Sequence, residues 1–120
     1  MTGFNPDVFS AAWNAHDLDA IMAMSSDDCV FLASAGLSPS GAVHKGQSAV
    51  RTAYQNIFNT FKDAQWSNSR STWIAKDRVL TEWCFRATKA DGTSLVVDGL
   101  DLLEISGDKV RVKNSYRKSV

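Results

Sequence analysis

The chain has 120 residues, 44% of them hydrophobic and 22% charged, a composition that suits one globular domain spanning 1–120 and excludes a disordered or fibrous chain. Thirteen basic residues balance thirteen acidic ones, which argues against a nucleic-acid footprint or a polybasic membrane anchor. No stretch reaches the roughly 20 apolar residues of a membrane span, and MTGFNPDVFSAAW lacks the basic region and apolar run of a secretory signal.

The first third reads as helical. Positions 8, 9, 12 and 13 form one apolar stripe, with Asn5 or Asp7 as the start signal and Pro6 tolerated in the first turn. Asp17 then caps a short helix over 18–24, broken by Ser25-Ser26-Asp27-Asp28. Cys29–Ala33 is a run of β-forming residues, hence a buried strand. The Gly-, Ser- and Pro-rich stretch from Ser34 to Gly46 is a loop. A long helix from Gln47 to Phe61 keeps the helical period at 50, 53, 54, 57, 58 and 61. Strands follow over about 65–75, 78–89, 94–105 and 109–118, punctuated by Lys76-Asp77, Asp91-Gly92 and Gly107-Asp108. Helices followed by an antiparallel meander define an α+β fold with helices packed on one sheet face. Cys29 and Cys84 are too few for a disulfide framework and lack metal-ligand spacing. They are expected to be reduced, buried thiols in a cytoplasmic protein.

The turns fix an expected register. If Asp91-Gly92 is a two-residue loop, Glu82 faces Asp101, Cys84 faces Gly99 and Arg86 faces Val97, while Trp83 and Phe85 point the other way with Leu100 and Asp98. If Gly107-Asp108 is also a two-residue turn, Asn114 lies beside Asp101 and Tyr116 beside Gly99. A three-residue bulged loop would invert the parity. Patterning alone puts the tryptophan face in the core and the charged face in water.

Residues Trp13–Ile21 followed by Asp27–Phe31 resemble the opening helices and first strand of nuclear transport factor 2-like proteins. His44–Arg51 is similar to their approach to the long helix, and Val97–Leu103 with Gly107–Arg111 to their closing hairpin. The similarity is closest to the SnoaL-like polyketide-cyclase and ketosteroid-isomerase branch. It implies a cone, in which a curved mixed or antiparallel sheet wraps the long helix around an apolar pocket. It also implies that Asp101 stands where ketosteroid isomerases carry an oxyanion-hole aspartic acid, inside the cone. On that reading the charged face lines the pocket, and Trp83, Phe85, Leu100 and Leu102 form an outer face used for homodimerisation.

Two carboxylates facing each other in a partly desolvated site cannot both ionise cheaply, so the expected chemistry pairs Asp101, as acid or oxyanion donor, with Glu82. Phe9, Trp13, Tyr54, Phe58, Trp73, Arg86, Asn114, Tyr116 and His44 are the candidate ligand-binding residues. Alignment with the isomerases puts Phe9 at their tyrosine and Ala33 at their aspartate base. Phenylalanine donates no hydrogen bond and alanine takes no proton, so authentic ketosteroid isomerase chemistry is not expected. The two histidines, 28 positions apart, make no metal site. The expectation is a cofactor-free protein that binds a small apolar molecule, acting as an isomerase, cyclase or dehydratase. The alternative is a non-catalytic binding or dimerisation module of the same fold.

Overall fold

The structure, a computed structural model, describes residues 3–119. Helix α1 (Pro6–Asn14) starts at Asn5, whose side chain accepts from the backbone N–H groups of Asp7 and Val8. Pro6 has no N–H to leave unpaired, so that cap meets two of the three unpaired N–H groups at this helix start. His16, at φ 54, turns the chain, and Asp17 caps α2 (Leu18–Ala23) by accepting from Ala20 N–H. Both helices match their sequence signals.

Strand β1 (Ser25–Leu32) begins four residues before the expected Cys29. Its polar opening, Ser26-Asp27-Asp28, read as a break because it carries no apolar side chain, yet those residues belong to the strand. The loop that follows ends in a three-residue strand, β2 (Val43–Lys45), paired antiparallel to β1. Helix α3 (Gln47–Thr60) buries Val50, Ala53, Tyr54 and Phe58 along one stripe. The Gln47 side chain anchors it by donating to the carbonyls of Ser25 and Ser26 at 3.0 Å each.

Strands β3 (Gln65–Ala75), β4 (Arg78–Thr88), β5 (Ser94–Ser106) and β6 (Lys109–Arg117) form the expected meander. The sheet runs β2-β1-β6-β5-β4-β3, curled and unclosed. All neighbours are antiparallel except β1 and β6.

Two register corrections decide which side chains face inward. The β4–β5 loop has three residues, Ala90 to Gly92, since Lys89 N–H donates to Thr93 C=O and Gly92 adopts φ +85. A glycine in that left-handed region closes a three-residue hairpin loop with a bulge. The shift by one residue puts Thr81, not Glu82, opposite Asp101, and Trp83 opposite Gly99. The second correction lies within β6. The Gly107-Asp108 turn does have two residues, with Ser106 opposite Lys109, but an irregularity between Glu104 and Ile105 slips the register. Asp101 therefore faces Ser115 rather than Asn114, and Gly99 faces Arg117 rather than Tyr116. The Lys76-Asp77 turn would pair Trp73 with Leu80 if it held two residues and the ladder ran unbroken, but an irregularity between Trp73 and Ala75 puts Trp73 opposite Val79.

Two apolar clusters fill the concave side. The larger joins α1, α2 and α3 to β1 and the Val79–Leu103 region; the smaller gathers Ala64, Trp83, Phe85, Ala87 and Val97. Trp83 (7% exposed) and Phe85 (1%) thus lie in the interior, not on the outer face. Leu100 and Leu102 do point outward and are half-buried. Cys29 is buried; Cys84, on the outer side, is only half-buried, and both thiols are free. Among the described residues no helix is long and apolar enough to cross a membrane.

Candidate functional site

Between the two clusters lies a cavity of about 310 Å³, within the size range of small-molecule sites. Its walls are aromatic: Trp13 from α1, Phe31 from β1, Trp66 from β3, Trp83 and Phe85 from β4, and Phe61 just beyond α3. The polar lining comes mainly from alternate residues of β6 (Lys113, Ser115 and Arg117), with His44 from β2. A small side compartment of about 20 Å³ is lined by Phe9, Trp13, Trp83, Asp101 and Lys113.

Asp101 is 8% exposed and all its side-chain partners are donors. Ser115 Oγ–H donates to Oδ1 at 2.6 Å and Trp83 Nε1–H to Oδ2 at 3.0 Å. Lys113 Nζ sits 3.4 Å from Oδ1 and donates to Ser115 Oγ at 2.9 Å. Lysine, serine and carboxylate so form a closed, buried network. The ammonium is also caged by rings, 4.5 Å from the Trp13 centroid, 5.0 Å from Phe31 and 5.7 Å from Tyr54. Ring faces carry negative charge, so a cation there recovers part of the solvation it loses. Burial, then the nearby Asp101 charge, pushes the Tyr54 phenol well above its ordinary value.

Gly99 makes the Trp83 contact possible. A Cβ at that position would lie 2.4 Å from the far edge of the Trp83 ring and 2.6 Å from Tyr116 C=O. Without one, the indole lies across β5 and its N–H reaches the carboxylate two residues along. Trp13 differs, since its buried Nε1–H has no hydrogen-bond partner among the described residues.

The sequence candidates divide. Asp101, Trp13, Phe9 and His44 meet at the cavity or its side compartment, with His44 stacked on Phe31 at 5.7 Å between centroids. Tyr54 and Phe58 are core residues behind that wall; Phe58 stacks on His16 at 4.3 Å. Trp73 packs partly buried against the main cluster. Glu82 lies on the opposite face of the sheet from Asp101, ion-paired to Arg70 at 2.9 Å. Arg86 is exposed and donates to Ser67 Oγ, and Asn114 donates to the Tyr116 hydroxyl on that same outer side. The supposed Glu82–Asp101 pair is therefore not formed.

Besides Lys113, Ser115 and Arg117, the aromatic wall residues Phe31, Phe61, Trp66, Trp83 and Phe85 were not among the candidates from sequence. A signal for Trp83 existed: Val79, Thr81, Trp83, Phe85 and Ala87 alternate as an inward face should. For the β6 residues the pattern pointed the wrong way, because Val110 and Val112 share the parity of Asn114 and Tyr116 and the irregularity opposite Glu104 and Ile105 reverses it. No group of His, Cys, Asp and Glu that could hold a metal ion occurs among the described residues.

Residues 7–112 match the SnoaL-like domain family. No curated protein matches the sequence. Among solved structures, a candidate polyketide cyclase from Pseudomonas putida superposes with a TM-score of 0.84 at 17% identity, over 97% of this chain and 91% of that one. A hypothetical protein of ketosteroid isomerase-like fold from Catenulispora acidiphila, in complex with trimethylamine, gives 0.77 at 17% identity, over 97% and 86%. TerC, co-crystallised with polyporic acid, gives 0.76 at 15% identity, over 92% and 85%. At these identities the likeness is one of fold.

Proposed function

The chain belongs to the SnoaL-like domain family, and on that premise we infer that it binds a small, largely apolar carbonyl or hydroxyl compound and acts on it by cofactor-free acid–base chemistry. The observation that carries this reading is the buried Lys113–Ser115–Asp101 network beside an aromatic cavity. A ligand oxygen in the cavity meets the Lys113 ammonium, which stabilises negative charge as an enolate or alkoxide forms. Such charge stabilisation is strong where water is excluded and the donor is already in place. Asp101 acts through Lys113 and Ser115, holding both in position, so it is a positioning residue rather than the acid that meets substrate. His44, which lines the cavity against Phe31, is the group suited to take and return the substrate proton, since a neutral imidazole carries one nitrogen that accepts a proton and one that donates it.

The small molecules named with TerC and the Catenulispora protein support small-molecule binding by this fold, but trimethylamine carries neither a carbonyl nor a hydroxyl and gives no support to the chemistry. Phe9 and Ala33, at the tyrosine and base positions implied by the resemblance, keep authentic ketosteroid isomerase chemistry out of it. A homodimer through the outer face around Leu100 and Leu102 is part of the proposal, and sedimentation showing only monomer at micromolar concentration would remove it.

The test uses 2-tetralone, an enolisable bicyclic ketone, with α-proton exchange followed by NMR in D₂O and binding by quenching of the cavity tryptophans. Exchange above the buffer rate that is lost in both Lys113→Met and His44→Gln supports the mechanism. Binding without exchange means the non-catalytic alternative, and absence of binding rejects the site for such ketones.

A further inference from the structure

The charge of the cavity lining narrows the ligand class. Its ionisable lining residues are Lys113, Arg117 and His44, and no carboxylate lines it among the described residues. Asp101 balances Lys113 from the side compartment rather than from the cavity. Arg117 has no such balance. Its guanidinium lies 4.9 Å from the Phe85 ring centroid and 5.9 Å from that of Phe61. It makes no ion pair or side-chain hydrogen bond among the described residues. A guanidinium stacked on rings keeps its N–H edges free, in the fork geometry that matches a carboxylate.

We propose that the cavity selects a flat aromatic carboxylate, its rings between Trp66, Phe61 and Phe85 and its anionic group held by Arg117. This rests on the reading of the cavity as the ligand site. Lys113 then faces a second oxygen, the carbonyl or hydroxyl on which the chemistry acts, so the two cations divide recognition from reaction. A neutral ligand of the same shape leaves Arg117 unpaired, and a cationic one meets repulsion from both.

Three naphthalenes of one shape test this by isothermal titration: 2-naphthoate, neutral 2-naphthamide and cationic 2-naphthylmethylammonium. The expected order is naphthoate tightest, about tenfold above naphthamide at low salt, the worth of one charge-assisted contact, with the ammonium not bound. The preference shrinks as salt rises. Arg117→Gln collapses the naphthoate-to-naphthamide ratio towards one, and Arg117→Lys keeps part of it. Equal binding of the two in the wild type overturns the anion selectivity and leaves the site standing. An undiminished preference in Arg117→Gln overturns the role of Arg117. Binding of none of the three removes the naphthalene-sized site itself, and with it the reading on which this inference rests.

Discussion

Glu82 and Asp101 sit on adjacent strands, one register position from facing each other, yet they occupy different environments. On the outer face Glu82 meets Arg70 at 2.9 Å, with side chains 45% and 76% exposed. On the inner face Asp101 meets Lys113 at 3.4 Å, with side chains 11% and 7% exposed. The shorter bridge is the weaker one. Water competes for both partners of the outer pair and salt screens them, whereas the inner pair has only each other, Ser115, Trp83 and the rings. Separation does not rank ion pairs; what surrounds them does.

The sharpest way to break that comparison is to remove one buried partner. Lys113→Met leaves Asp101 without a counter-charge inside the protein, and an unpaired buried charge costs about 3–5 kcal/mol. Urea unfolding should show a loss in that range. The double variant Lys113→Met/Asp101→Asn should recover much of it, because it removes both charges together. A single-variant loss below about 1 kcal/mol would mean that the inner pair behaves like the outer one, and the contrast would fail.

Gly99→Ala perturbs the same network through shape alone. The new methyl clashes with both the Trp83 ring and the Tyr116 carbonyl, and overpacking of this kind costs about 1–3 kcal/mol, occasionally more. The ring is the part able to move, and moving it draws Nε1–H away from Asp101. The expected result is a loss of at least that size, together with a shift in tryptophan emission that Gly3→Ala, whose added methyl would meet only Asp108 Cβ at 3.7 Å, does not give. Unchanged emission would show that Trp83 does not depend on Gly99.

How far the sequence revealed this site turns on one glycine. Helix caps at Asn5 and Asp17, the stripe of α3 and the four long strands all follow from local patterns, and the structure places them within a residue or two. Patterning put Trp83 in the core, and the family resemblance put Asp101 inside the cone. With a two-residue turn at Asp91-Gly92 the two conclusions exclude each other; with the three-residue loop that forms, both hold. Turn length is decided by how Gly92 is used, as a hairpin residue or as a bulge, and Asp-Gly suits either. The β6 slip had even less local warning, so Asn114 and Tyr116 stood where Lys113, Ser115 and Arg117 do. A one-residue slip carries every side chain to the other face, so strand parity decides which ionisable groups share a cavity.

The smallest expected effect belongs to the outer pair. Glu82→Gln keeps the side chain's length and removes its charge, so Arg70 loses a partner that water replaces. Double-variant cycles on exposed pairs give about 0.2–1 kcal/mol, and the cycle of Glu82→Gln with Arg70→Gln should fall there and shrink in 1 M salt. The cycle of Asp101→Asn with Lys113→Met should give several times that coupling and barely respond to salt, because its charges lie out of reach of ions. If Glu82→Gln instead altered 2-tetralone exchange as strongly as Lys113→Met, Glu82 would act on the cavity from across the sheet. The division of labour between the two faces would then fall, since nothing on the outer side of β4 touches the ligand site.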